Sequence, residues 1–260
     1  MSGGEGATSG APFGRVLVAG EPHFCRLDGE TVWLLAWPGW DAEAREVGSA
    51  DLADVRVLAP VEPSKIVAVG LNYRAHAAEL AMDIRAEPIL FMKPPSAVIG
   101  PGDEIVMPAW SEQVDYEAEL VLVVARRCRD LTPATAPVAV AGYTCGNVVT
   151  ARDLQKRDGQ WTRAKSFDTF CPLGPWVVRD APPREARVSA SLDGVEVQTG
   201  VVGDMIASPL DLLVFVSGVM TLEPGDALMT GTPPGVGPLQ RGVNVTVTID
   251  GVGRLTNPVR

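Results

Sequence analysis

Residues 114–124 read V-D-Y-E-A-E-L-V-L-V-V, and this stretch constrains the fold more than any other. Asp115, Glu117 and Glu119 stand at every second position, and an apolar run follows. On a strand alternate side chains share a face, so the three acids point one way and Tyr116, Ala118 and Leu120 the other. Carboxylates at that spacing repel one another, and burial makes the repulsion worse. The L-V-L-V-V continuation is apolar on both faces, as in a strand entering an interior. Either the acid face is solvated or a cation sits on it, and a hard divalent ion such as Mg²⁺ takes oxygen ligands of this kind.

The rest of the chain reads as many short elements. Its 260 residues include 22 Pro and 27 Gly, and 46% are hydrophobic, which suits a sizeable core with frequent turns. Residues 1–12 read as a flexible tail without the basic and apolar regions of a signal peptide. Residues 13–60 hold strand-like pieces with a hairpin signal at Asp28-Gly29, and the prolines at 60 and 63 mark a boundary. The expected organisation is thus a small N-terminal β subdomain, 13–60, and a main domain, 61–260.

In the main domain, 64–71 is a buried-strand candidate, with Asn72 as cap of a helix over 74–84 that stops before Pro88. Residues 104–109 are strand-like, 132–138 start a short helix, and Thr150 caps a helix over 150–157. Asp193-Gly194 and Asp250-Gly251 are hairpin turns, and Ser208-Pro209 opens an apolar helix. The sum is an α+β chain dominated by strands.

A formal net charge of -10 without a basic run argues against nucleic acid and anionic membranes as partners. The apolar run 212–220 is too short to span a bilayer. Cys25, Cys128, Cys145 and Cys171 form no C-x-x-C and read as reduced thiols of a cytoplasmic protein.

Several polar residues are placed for chemistry. His76 and Glu79 are three apart on the predicted helix, a spacing that suits either a surface pair or a base oriented by a carboxylate. Arg152 and Gln155 share a face in the same way, and Lys165 follows; they are either surface charge or a clamp for a carboxylate. The T-G-T-P-P-G-V-G turn at 230–237 lacks the lysine and spacing of a phosphate loop.

In order along the chain, L-N-Y-R-A-H-A-A-E-L, P-I-L-F-M-K-P-P-S-A-V-I-G-P, D-Y-E-A-E-L, G-Y-T-C-G-N-V-V-T-A-R-D-L-Q, A-K-S-F-D-T-F-C-P-L-G-P and L-M-T-G-T-P-P-G-V-G resemble the fumarylacetoacetate hydrolase family. The resemblance covers about three quarters of the chain, residues 64–258. It implies a mixed β-roll, a homodimer, and chemistry on small 2-oxo acids assisted by Mg²⁺ or Mn²⁺. It makes Glu117 and Glu119 metal ligands, with Asp115 at the rim of the cleft. It makes His76 and Glu79 a water-activating dyad, Lys165 catalytic, and Arg152, Gln155 and Thr232 substrate-binding.

One position departs from the family pattern. The third ligand there is an Asp after the Asn of G-N-D-V, and this chain has Val148. Valine cannot ligate, and Asn147 on a strand points to the opposite face. Losing one hard ligand worth about 2–3 kcal/mol weakens ion binding by about a hundredfold. The expected activity is hydrolysis of a C–C bond in a 2,4-dioxo acid, of the kind that serves aromatic catabolism. Decarboxylation, isomerisation and a metal-free carboxylate-binding role are the alternatives.

Overall fold

The computed structural model describes residues 10–41, 43–79 and 87–260. The first nine residues of the expected tail, and positions 80–84 of the expected helix, lie outside the described residues. The fold is a strand-dominated α+β mixed β-roll. A 12-stranded sheet runs through the molecule, beside a four-stranded and a three-stranded sheet. Most pairings are antiparallel, but Ala227–Met229 runs parallel to Ile66–Gly70, and Cys171–Val178 parallel to Val98–Ile99.

The strand Ala118–Val124 lies at the centre, between Val140–Asn147 and Ala227–Met229, and every one of its residues is buried. Leu120, Leu122 and Val124 pack with Val188, Val245 and Val247 of the four-stranded sheet and with Leu212 and Val216 of the helix Pro209–Val219. Val121 and Val123 face the opposite way, toward Ile66, Ala68, Leu173 and Val148. Burial on both faces is why this segment is apolar at both parities.

The acid stretch is not one strand. It breaks at Glu117 into Val114–Tyr116, in the three-stranded sheet, and Ala118–Val124, in the large one. The break lets neighbouring carboxylates serve two sheets. The N-terminal strands form a meander whose first strand, Phe13–Val18, joins the large sheet beside Cys171–Val178. Residues 24–27 belong to the strand Glu21–Asp28, and the Asp28-Gly29 hairpin turns where expected.

The hairpins at Asp193-Gly194 and Asp250-Gly251 are present. Residues 104–109 contribute only an isolated bridge, Ile105 to Val259, instead of a strand. Around 132–138 the only helical turn is the short 3₁₀ segment Pro137–Ala139. Pro133 and Pro137 leave too few free N–H groups for a longer helix.

The helix Pro209–Val219 starts on a capping box: Ser208 and Asp211 each accept from the other's backbone N–H. Ser208→Ala should cost about 1 kcal/mol and lower Tm by about 2–4 °C. An unchanged thermal melt followed by circular dichroism would show that the cap contributes nothing.

Candidate active site

Glu117 is the centre of the site. It is buried at the break between the two strands and takes two cations: Arg152 Nη2 donates to Oε1 at 2.6 Å and Lys165 Nζ to Oε2 at 2.8 Å. Burial alone would raise its pKa, but Lys165 and Arg152 outweigh that and bring it down to about 2. Arg152 opens the helix Arg152–Asp158 and also donates from Nε to Asp115 at 2.8 Å and from Nη1 to Gln155 at 2.5 Å. Asp115 is therefore buried and ion-paired, not at a rim.

Thr150 is a strand residue whose hydroxyl donates to Glu117 and accepts from Lys165 at 2.9 Å, so it does not cap the helix; Ala151 holds that position. Asn72 is diverted likewise. Its amide bonds to Ala207 and to the Thr230 carbonyl, tying two loops together.

The 230–237 turn connects the acids to the dyad. Gly231 N donates to Glu119 Oε2 at 2.7 Å, and Gly235 N donates to Glu79 Oε1 at 3.0 Å. Gly231 has φ +94, and a Cβ there would lie 2.7 Å from Cβ of Asn72, so only glycine brings its N–H onto Glu119. His76 Nδ1 and Glu79 Oε2 lie 2.9 Å apart, which leaves Nε2 for other partners. Thr232 Oγ1 donates to the Ala118 carbonyl and accepts from Gln198, so its hydroxyl must turn before it can donate to a substrate carboxylate.

These residues converge on a cavity of about 280 Å³. His76, Glu117, Glu119, Arg152, Gln155, Lys165 and Thr232 line it, and Phe91 and Trp161 supply apolar wall. The Lys165 ammonium sits 4.9 Å from the Phe91 ring centroid and 5.9 Å from that of Trp161.

Sequence reasoning missed Lys93. It is buried at the end of the strand Ile89–Lys93 and donates to the carbonyls of Lys165 and Val149. Burial lowers its pKa to about 8. A lone lysine closing an apolar strand was the available signal.

The donor set does not fit a resident divalent ion. Both Glu117 oxygens are engaged by cations, and burial together with the Glu117 charge raises the Glu119 carboxyl well above the usual range. Among the described residues no group of three or more His, Cys, Asp or Glu is placed to hold a metal. The Ala118–Asn147 register continues to Glu117 opposite Val148, whose N–H donates to the Glu117 carbonyl. Val148 thus shares the face of the acids, but it packs there in the apolar cluster.

Residues 65–260 match the model for the fumarylacetoacetate hydrolase C-terminal domain, and the chain belongs to that family. Its structure is similar to that of 2-hydroxyhepta-2,4-diene-1,7-dioate isomerase from Mycobacterium marinum. That comparison has TM-score 0.89 and 41% identity, over 96% of this chain and 98% of that one. It is also similar to fumarylpyruvate hydrolase from Pseudomonas aeruginosa, which was solved in complex with Mn²⁺ and pyruvate. The TM-score is 0.72 and the identity 35%, over 77% and 90% of the two chains. In sequence it is 40% identical to the mitochondrial oxaloacetate tautomerase FAHD2A of Homo sapiens, covering 80% of this chain and 70% of the human protein. Among the described residues no helix is long and apolar enough to cross a membrane. All four cysteines are free and buried.

The pH dependence of stability tests the Glu117 network. The folded pKa is depressed, to about 2 from 4.5, so its contribution is complete above 4.5 and is lost as pH falls through 2. That contribution is about 3 kcal/mol. Glu117→Gln should flatten the fall of Tm across that acid window relative to the parent protein. Equal slopes would remove Glu117 from the acid transition.

Proposed function

We propose that this chain is a hydrolase that cleaves a C–C bond in a small 2,4-dioxo acid. The observation that carries the reading is His76, 2.9 Å from Glu79, on a cavity that Lys165 and Arg152 also line. The substrate's carboxylate and 2-oxo oxygen lie against Lys165 and Arg152, with Gln155 beside them. Glu79 orients His76, whose Nε2 takes a proton from water. The water oxygen attacks the distal carbonyl, and the bond between C3 and C4 breaks. Its electrons pass into the enolate of the 2-oxo acid, where the Lys165 ammonium opposes the developing charge. The proton on His76 then returns to C3, which releases a carboxylic acid and a 2-oxo acid.

A second reading is proton transfer alone, enol–keto isomerisation at C3 with His76 as acid and base and no attacking water. The isomerase and tautomerase names of two similar proteins favour it. In either case we propose that the protein works in the cytoplasm as a homodimer, without nucleic-acid or membrane partners.

Acylpyruvates and oxaloacetate, assayed side by side by loss of enol absorbance and by product analysis, separate the two. Hydrolysis predicts cleavage products from acylpyruvate, and His76→Ala should lower kcat by about 10²–10⁴ with little change in KM. Interconversion of oxaloacetate tautomers without cleavage of acylpyruvate would select isomerisation. No turnover of either would end both readings.

A further inference from the structure

We propose that this site supplies its own cation: the Lys165 ammonium, backed by Arg152, stands where a resident divalent ion would act, and a small 2-oxo acid or its enolate binds without metal. The inference rests on the substrate class proposed above.

Charge balance is the first argument. Three buried acids, Asp115, Glu117 and Glu119, face three buried bases, Lys93, Arg152 and Lys165. A dication added to that balanced set would leave two positive charges with no further buried acid of the set to offset them in a low-dielectric setting.

Ligand supply is the second argument. The position opposite Glu117 on the acid face is Val148, which is fully buried and belongs to the apolar cluster that also holds Val121, Leu173 and Met229. A hard cation finds no donor in such a wall.

The third argument is the N–H donor that Lys165 keeps beyond its two acceptors in the protein. An ammonium has three N–H donors. Two go to Glu117 Oε2 at 2.8 Å and Thr150 Oγ1 at 2.9 Å. The residue also lines the cavity, so the third N–H is available to a ligand oxygen. Lys93 fixes the backbone of Lys165 from behind by donating to its carbonyl. The site therefore presents a positioned point charge with one open donor, which suits the 2-oxo oxygen of a planar carboxylate ligand.

The test uses the intact protein and oxalate, a planar mimic of the enolate. Oxalate binding is measured by calorimetry in chelator and again with Mn²⁺, and Mn²⁺ binding is followed separately by the resonance of the free ion. We expect oxalate to bind equally in chelator and in Mn²⁺, within about twofold, with no Mn²⁺ taken up by the protein alone. Val148→Asp should gain Mn²⁺ affinity by about tenfold or more. If oxalate affinity in the parent protein rises about tenfold with Mn²⁺, or the protein alone binds Mn²⁺, the inference is overturned while the substrate class stands. If oxalate binds under neither condition, the inference and the substrate class fall together. The parent protein decides the matter even where Val148→Asp does not fold.

Discussion

The site depends on one buried carboxylate and the two cations that hold it. Glu117 bonded to Lys165 and Arg152 joins the break in the central strand, the start of the helix Arg152–Asp158 and the short helix Thr162–Lys165. Removing three charged groups from water is costly, and well-packed apolar residues of similar volume usually do as well or better for stability. Such a network is weak evidence for stabilisation. Its position on a cavity, with perturbed ionisation on Glu117, Glu119 and Lys165, fits a functional demand instead.

The 230–237 turn transmits that arrangement to the dyad. Its glycine N–H groups hold Glu119 at one end and Glu79 at the other, and at the Glu79 end Tyr116 Oη donates to the Gly235 carbonyl. The helix Arg74–Glu79 therefore does not carry an independent catalytic pair. The Glu79 carboxylate is placed by the same backbone that bonds Glu119, so the dyad and the acid cluster are held in register by one loop.

Local signals made most of the fold legible. The Asp-Gly hairpins and the Ser208 cap appear where the sequence puts them, because each is decided by a few adjacent residues. The acid alternation and the order of motifs also brought Glu117, Glu119, His76, Arg152 and Lys165 to one cavity, as expected from the resemblance. What local rules missed was decided by distant partners. Asn72 and Thr150 have the chemistry of helix caps, but residues far along the chain recruit their side chains. Lys93 bonds to carbonyls 56 and 72 residues away, which no spacing rule detects. The strand break at Glu117 escaped for the same reason. Period-two alternation continues through it, while the backbone moves from one sheet to another.

Val148 brings the core and the site into one argument. On the acid face the polar row ends and the apolar cluster begins between Glu119 and Val121 on one strand, and at Val148 on its neighbour. An aspartate at that corner would be buried at the edge of the apolar cluster, and burying its charge there needs a compensating cation. With valine the corner is satisfied by packing, and the remaining carboxylates are satisfied by ammonium, guanidinium and a backbone N–H. Every charge at the site then has a partner from the chain itself. The field in the cavity is set by folding, so the groups that oppose an enolate's charge are in place before a ligand arrives.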